Sequence, residues 1–346
     1  MSRESFLECI ARRPHESVPS FMFDTSFGTR FAGYRVSEVY GKGFDGEKSA
    51  RSICAGRKYL GHDAVPGSMI SMDTRELGAE IELYDDRPAM LTKPAFKEPD
   101  RLYDSDPSDI VRCATVDEII RSNNLIKEMD PEAVVAAYVP SPFLFSAVLR
   151  GLEPLLMDMV NEPDYVKELM EFTTKCCEGL ARRHMEETGS ECSIIPGAYD
   201  NPDLISFDDL NRICIPSLKR VRSILSRDSR PVIFHPHGAL TLSPGRDAFE
   251  SFVEIGFDCI YYGENCDHGE MCRIADGKVS VMGGIDTATT IFLGDDDTVR
   301  KDTKSVLEAT DGYDFIYSCS CSIDRNLNAG KLKVMMDTVL DHFHRE

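Results

Sequence analysis

Two pairs of potential metal ligands lie about eighty residues apart. The run Val232-Ile233-Phe234-His235-Pro236-His237-Gly238 begins apolar and ends in two imidazoles separated by one proline. In extended backbone, residues i and i+2 project to the same side, so His235 and His237 can face one space. Pro236 offers no N–H and ends the strand there. The second pair follows the strand-like run Tyr313-Asp314-Phe315-Ile316-Tyr317, in Ser318-Cys319-Ser320-Cys321. Two neutral imidazoles and one thiolate suit Zn²⁺, and three protein ligands leave a fourth position open. An open zinc can bind a thiol and lower its pKa, or polarise an ether or carbonyl oxygen. Oxygen-only metals such as Mg²⁺ fit this set poorly. Either Cys321 or Cys319 can be the third ligand; both together would close the site into a structural zinc. Without a metal, the histidines are hydrogen-bonding groups in a polar cleft and the cysteines are filler.

Other polar residues follow strand-like runs. Glu264, in Tyr261-Tyr262-Gly263-Glu264, is a labile fourth ligand, a partner orienting an imidazole, or a solvated carboxylate. Asp286 follows Gly283-Gly284-Ile285, where glycines permit close backbone approach; it either meets substrate or caps the helix beginning at Thr287. Asp24, Asp73, Tyr199 and Asp200 are candidates for the walls of a substrate site. His184 and His268 read as surface histidines, and Asp295-Asp296-Asp297 as a helix start.

The elements that would carry these residues alternate. Strand candidates are 18–23, 68–72, 133–139, 191–195, 231–234, 259–262, 278–282 and 315–318. Helices are expected at 2–13, 47–60, 116–129, 144–160, 164–187, from the Ser206 cap to about 225, and at 330–343. Residues 79–113 read as an insertion with short extended pieces. Eight strands alternating with helices predict an α/β fold, a single (β/α)8 TIM barrel over 1–346 with an N-terminal extension and an insertion after the second strand. In such a barrel the site lies at the carboxyl ends of the strands, where the polar residues above collect. No G-x-G-x-x-G follows the first strand and no P-loop occurs, which disfavours nucleotide binding.

Composition narrows the partners. A formal net charge of −20, from 59 acidic and 39 basic residues, argues against nucleic acid and against an anionic membrane. No stretch approaches the roughly 20 apolar residues of a membrane span. Twelve cysteines without framework spacing predict reduced thiols and a cytoplasmic location. Cys54, Cys176, Cys214 and Cys259 read as small core residues.

Several segments carry a family resemblance: Pro140-Ser141-Pro142-Phe143 before a long helix, Leu204-Ile205-Ser206 before a helix containing Pro216, Phe234 to Gly238, Val281-Met282-Gly283-Gly284-Ile285-Asp286, and the strand entering Ser318 to Ile323. Over nearly its whole length the chain resembles the uroporphyrinogen decarboxylase-like superfamily of (β/α)8 barrels. One branch of that superfamily decarboxylates uroporphyrinogen without a cofactor. The other comprises zinc methyltransferases working with corrinoid proteins, such as methylcobamide:coenzyme M methyltransferases and related demethylating enzymes. The decarboxylases carry Arg-Gln-Ala-Gly-Arg after the first strand; here the segment is Asp24-Thr25-Ser26-Phe27-Gly28-Thr29-Arg30, with at most the last arginine kept. A substrate bearing many carboxylates needs bidentate arginines. Their C-terminal Gly-His-Gly becomes Ser320-Cys321-Ser322. The methyltransferase branch places zinc on His-x-Cys-Gly plus a later Cys, which maps onto His235, His237 in place of the first Cys, and Cys321, with Cys319 in reserve. The resemblance thus implies Zn²⁺, a corrinoid-binding protein as partner, and a small O- or S-methyl compound or thiol as methyl donor or acceptor.

Overall fold

The computed structural model of the chain describes residues 3–41, 43–68 and 74–343. Its core is a curled, all-parallel sheet of seven strands: β1 (Ala64–Pro66), β4 (Val134–Tyr138), β5 (Cys192–Gly197), β6 (Val232–Pro236), β7 (Cys259–Tyr261), β8 (Ser280–Ile285) and β9 (Phe315–Cys319), in that spatial order. All seven are buried along their length, as expected for strands with helices outside and a filled interior. The remaining pair, β2 (Glu80–Glu82) and β3 (Met90–Lys93), forms an antiparallel hairpin within the expected insertion.

The first expected strand, 18–23, does not form a ladder. It contributes single parallel bridges, Ser20 to Tyr317 and Phe21 to Ala64. Those bridges nevertheless join both edges of the sheet: Phe21 N–H donates to Tyr317 O at 2.9 Å, Tyr317 N–H to Pro19 O at 2.8 Å, and Ala64 N–H to Ser20 O at 3.0 Å. Edge strands with unpaired backbone invite association, and this closure removes both edges. The described residues therefore form a TIM-like arrangement of seven strands and a bridging segment, not eight full strands. The second strand lies at 64–66, ahead of the expected 68–72, and residues 69–73, Asp73 included, are outside the described residues.

Side-chain parity sorts the interior from the outer layer. Ile233, Cys259, Tyr261, Met282 and Ile316 pack together inside the barrel. Their neighbours Val232, Phe234, Ile260, Val281, Phe315 and Tyr317 pack outward into the larger core beneath the helices. Phe6, Cys9 and Ile10 of α1 (Arg3–Ile10) belong to the inner cluster, so the first helix plugs the floor under the strand beginnings. Cys9 Sγ reaches Phe315 O, Arg3 pairs with Glu191, and Arg12 reaches Asp258 O, all at amino ends of strands.

The expected helix 144–160 is two helices, Pro142–Arg150 and Leu152–Asn161, divided at Gly151, whose φ of +91° suits only glycine comfortably. Ser206 caps as expected, accepting from Asp209 N–H at 3.0 Å and donating to Asp209 Oδ2 at 2.7 Å. The helix it opens widens into a π-type turn at Leu210–Cys214 before Ile215–Leu225, where Pro216 withholds its N–H. Asp295 likewise caps Asp296–Ala309. His184 is not on the surface: it is 3% exposed on the inner face of Pro163–Glu187, and burial pushes its pKa down to about 4. His268 is half-buried, its Nδ1 2.7 Å from Tyr262 Oη. All twelve cysteines are free, Cys176, Cys214 and Cys259 buried and Cys54 half-buried. No described helix is long and apolar enough to cross a membrane.

Candidate metal centre

His235 and His237 are brought to one space by plain strand alternation. Ile233 and His235 face inward from β6, and His237, just beyond the strand end, keeps the same side, with ring centroids 4.8 Å apart. Cys321 arrives from beyond β9. One nitrogen from each imidazole and the Cys321 sulfur lie within 4.8 Å of one another. Among the described residues this is the single such grouping of histidine, cysteine and carboxylate donors.

The tautomer of His235 follows from its neighbour. Nδ1 sits 2.7 Å from the Tyr261 carbonyl, which can only accept, so Nδ1 carries the proton. Nε2 is then a bare lone pair, buried and without a hydrogen-bond partner. A buried acceptor left unpaired costs about 1–3 kcal/mol, and a cation among the three donor atoms would remove that cost. The ring is held by stacking on Tyr261 at 3.9 Å and by an edge contact from Phe23 at 5.7 Å.

His237 is held from its other side. Glu264 Oε2 lies 3.4 Å from Nδ1, and Cys321 Sγ lies 3.6 Å from Nε2. Glu264 is in turn bonded by Ser320 Oγ at 3.3 Å, and Ser320 also accepts from Thr287 N–H at 3.1 Å. Thus the carboxylate orients an imidazole, the arrangement that fixes ligand geometry in metal sites. Burial alone would raise the Cys321 thiol, but His235 and His237 outweigh it and bring it down to about 5. Burial would lower His237, yet Cys321 and Glu264 hold it up at about 10. His237 also depresses Glu264 to about 2, against burial. The thiol and the imidazole thus each favour the charged form of the other, and a cation could replace the proton they share.

Residues 1–342 match the protein family described as Uroporphyrinogen decarboxylase (URO-D). The chain belongs to that family. No curated protein gives a significant match. Among solved structures, a methyltransferase from Methanosarcina mazei is similar with a TM-score of 0.80 at 16% identity, covering 99% of each chain. A B12-independent methionine synthase from Shewanella sp. W3-18-1, in complex with selenomethionine, gives 0.58 at 12% identity, covering 95% of this chain and 98% of that one. A putative vitamin-B12 independent methionine synthase from Listeria monocytogenes gives 0.52 at 11%, covering 94% and 96%. At these identities the likeness establishes the fold.

Within this member of the family, the other candidate residues fall outside the grouping of His235, His237 and Cys321. Cys319 Sγ points outward, 3.7 Å from Met335 Sδ in the helix Ala329–Phe343, and burial pushes it up to about 12. It is a core residue, because β9 is still extended at 319 and the inward parity belongs to Ser318. Asp286 caps the turn at 287–293, accepting from Thr289 N–H at 2.6 Å. Asp24 accepts from Gly28 N–H at 3.0 Å, folded back on its own loop, and burial raises it to about 7. Asp200 is fully buried, accepts from Ser141 Oγ at 2.6 Å, and is likewise raised by burial to about 7. Tyr199 is half-buried against the outer core. Gly284 does permit a close approach: a Cβ there would meet Ser318 O at 1.7 Å. The sequence reading missed Tyr261, Ser318 and Ser320. Inward parity in β7 was the available signal for Tyr261; nothing in local spacing marks the serines.

Proposed function

We propose that the chain is a zinc-dependent methyltransferase that moves a methyl group between a small O- or S-methyl compound or thiol and a corrinoid protein. The observation that carries this reading is the unpaired, buried Nε2 of His235 beside His237 and a thiolate-forming Cys321. His235, His237 and Cys321 would hold the ion. When bound, Zn²⁺ supplies Lewis acidity that lowers a thiol's pKa or polarises an ether oxygen. The chain's own groups do the rest. The Tyr261 carbonyl keeps the proton on His235 Nδ1, and Glu264 keeps it on His237 Nδ1, so both Nε2 lone pairs stay free for the cation. Two neutral nitrogens and one sulfur leave a less negative centre than a site with two thiolates, which favours oxygen substrates as well as thiols. Glu264 stays on His237 Nδ1, the fourth position is left open to substrate, and Asp286 and Tyr199 are proposed to meet substrate from neighbouring loops.

The similarity in fold to the M. mazei methyltransferase supports methyl transfer. Family membership alone would equally support tetrapyrrole decarboxylation. That second reading needs arginines for substrate carboxylates, and Arg30 donates instead to the backbone carbonyls of Arg325 and Leu327, at 2.6 and 3.1 Å. Purified protein is expected to hold about one zinc per chain and to demethylate methylcobalamin in the presence of an acceptor thiol; His237→Ala is expected to lose both properties. Full activity in a zinc-free preparation would sink the proposal, and chelator-insensitive release of CO₂ from uroporphyrinogen would replace it.

A further inference from the structure

One residue touches both halves of the donor grouping. Tyr261 is fully buried on the inward face of β7. Its carbonyl accepts a hydrogen bond from His235 Nδ1–H and its ring stacks on that imidazole at an interplanar angle of 18°. Its hydroxyl reaches the other strand end: it donates to Cys319 O at 2.9 Å and lies 3.3 Å from Cys321 O, while Ser318 Oγ donates to it at 3.0 Å. β7 neighbours β6, but β8 separates it from β9, so the phenol spans the interior rather than a ladder. The carbonyls it binds flank the bend that turns the chain from outward-facing Cys319 to inward-facing Cys321. Backbone carbonyls inside a barrel need donors, and at this bend the single phenol O–H serves them, chiefly Cys319 O.

Resting on the metal reading above, we propose that Tyr261 is the positioning residue that couples the imidazole half of the site to its thiolate half, setting where Cys321 Sγ stands relative to the two nitrogens. The ring and backbone would still orient His235 in Tyr261→Phe; only the link to the Cys321 bend is cut. Groups outside the direct ligands typically change metal affinity by about 10–100-fold, and a loss of about tenfold is expected here.

The test titrates the full-length wild-type chain and Tyr261→Phe with Zn²⁺ against a competing chelator. The same proteins are titrated with Co²⁺ while the thiolate-to-cobalt absorption is followed. Tyr261→Phe is expected to bind both ions more weakly and to show a shifted or weakened thiolate band, with circular dichroism unchanged. Ser318→Ala, which removes one partner of the phenol, is expected to move in the same direction by less, and it serves if Tyr261→Phe does not fold. Equal affinity and an identical cobalt spectrum in the variants, with or without a lower melting temperature, would overturn the coupling while leaving the metal site standing. A wild-type chain that takes up neither ion would overturn both.

Discussion

The ends of β6 and β9 present the same pattern, two ligand-type residues one apart, and they behave differently. Beyond β6, His235 and His237 share a side because the backbone stays extended through Pro236. Beyond β9 the ladder stops at Cys319, paired with Ile285, and the chain bends at Ser320 and Cys321. Cys319 therefore keeps the outward parity of Tyr317, and Cys321 is swung inward. An i, i+2 rule transfers from sequence to space only as far as the strand runs. The bend has its own supports: Ser320 on Glu264 and Thr287, and the Tyr261 phenol on the carbonyls either side.

The sharpest way to break this contrast is to exchange the two cysteines' fates. Cys321→Ala should weaken zinc binding by more than about 100-fold, beyond the range of outer partners, as read by zinc content after dialysis against chelator. Cys319→Ala should leave zinc content unchanged and cost about 1 kcal/mol of stability for the small cavity beside Met335, as read by denaturant unfolding. Were Cys319→Ala the variant that lost metal, the assignment of parity at β9 would be wrong. Next in size, Glu264→Gln should reduce zinc affinity by roughly 10–100-fold, with little change in melting temperature, since it loosens His237 without removing a ligand.

Proton chemistry gives a finer contrast. In metal-free protein Cys321, at about 5, should be alkylated by iodoacetamide down to mildly acidic pH, whereas Cys319, at about 12, should remain unmodified, as mapped by peptide mass spectrometry. The same pair sets a stability profile. Cys321 is lowered on folding from 9.0 to about 5, so its contribution declines as pH falls from 9.0 towards 5. His237 is raised from 6.5 to about 10, so its contribution is lost as pH rises from 6.5 towards 10. The two slopes cancel where they overlap. The stability difference between wild type and Cys321→Ser, measured by urea unfolding in chelator, should be flat from about pH 6.5 to 9 and shrink on either side.

Much of the scaffold was legible in the residues. Apolar runs at 133–139, 191–195 and 231–234 led to fully buried parallel strands, and Ser206, Asp286 and Asp295 act as caps where cap residues were expected. The family resemblance held over residues 1–342. What local pattern could not supply was long-range pairing. Residues 18–23 look like a strand yet make single bridges on each side, and the strand after the first long helix begins at Ala64 because Gly61, with φ of +82°, ends that helix just ahead of it. Acidic residues at strand ends read alike in sequence. Only contacts separate Glu264, beside an imidazole, from Asp24, folded onto Gly28, and Asp200, sealed under Ser141.

Joining the sheet's edges through residues 19–22 makes this segment wait for a strand that is synthesised much later, at Phe315–Cys319. A nascent chain that has emerged only through β8 holds both imidazoles but neither the β9 edge for Pro19 and Phe21 nor the sulfur of Cys321. Pairing between residues as far apart as Ser20 and Tyr317 is slow to nucleate and leaves backbone edges exposed meanwhile. The three donors of the proposed cation site are therefore brought together only once β9 and Cys321 have emerged, and truncation before Phe315 should yield a sticky, edge-open intermediate instead of a smaller working barrel.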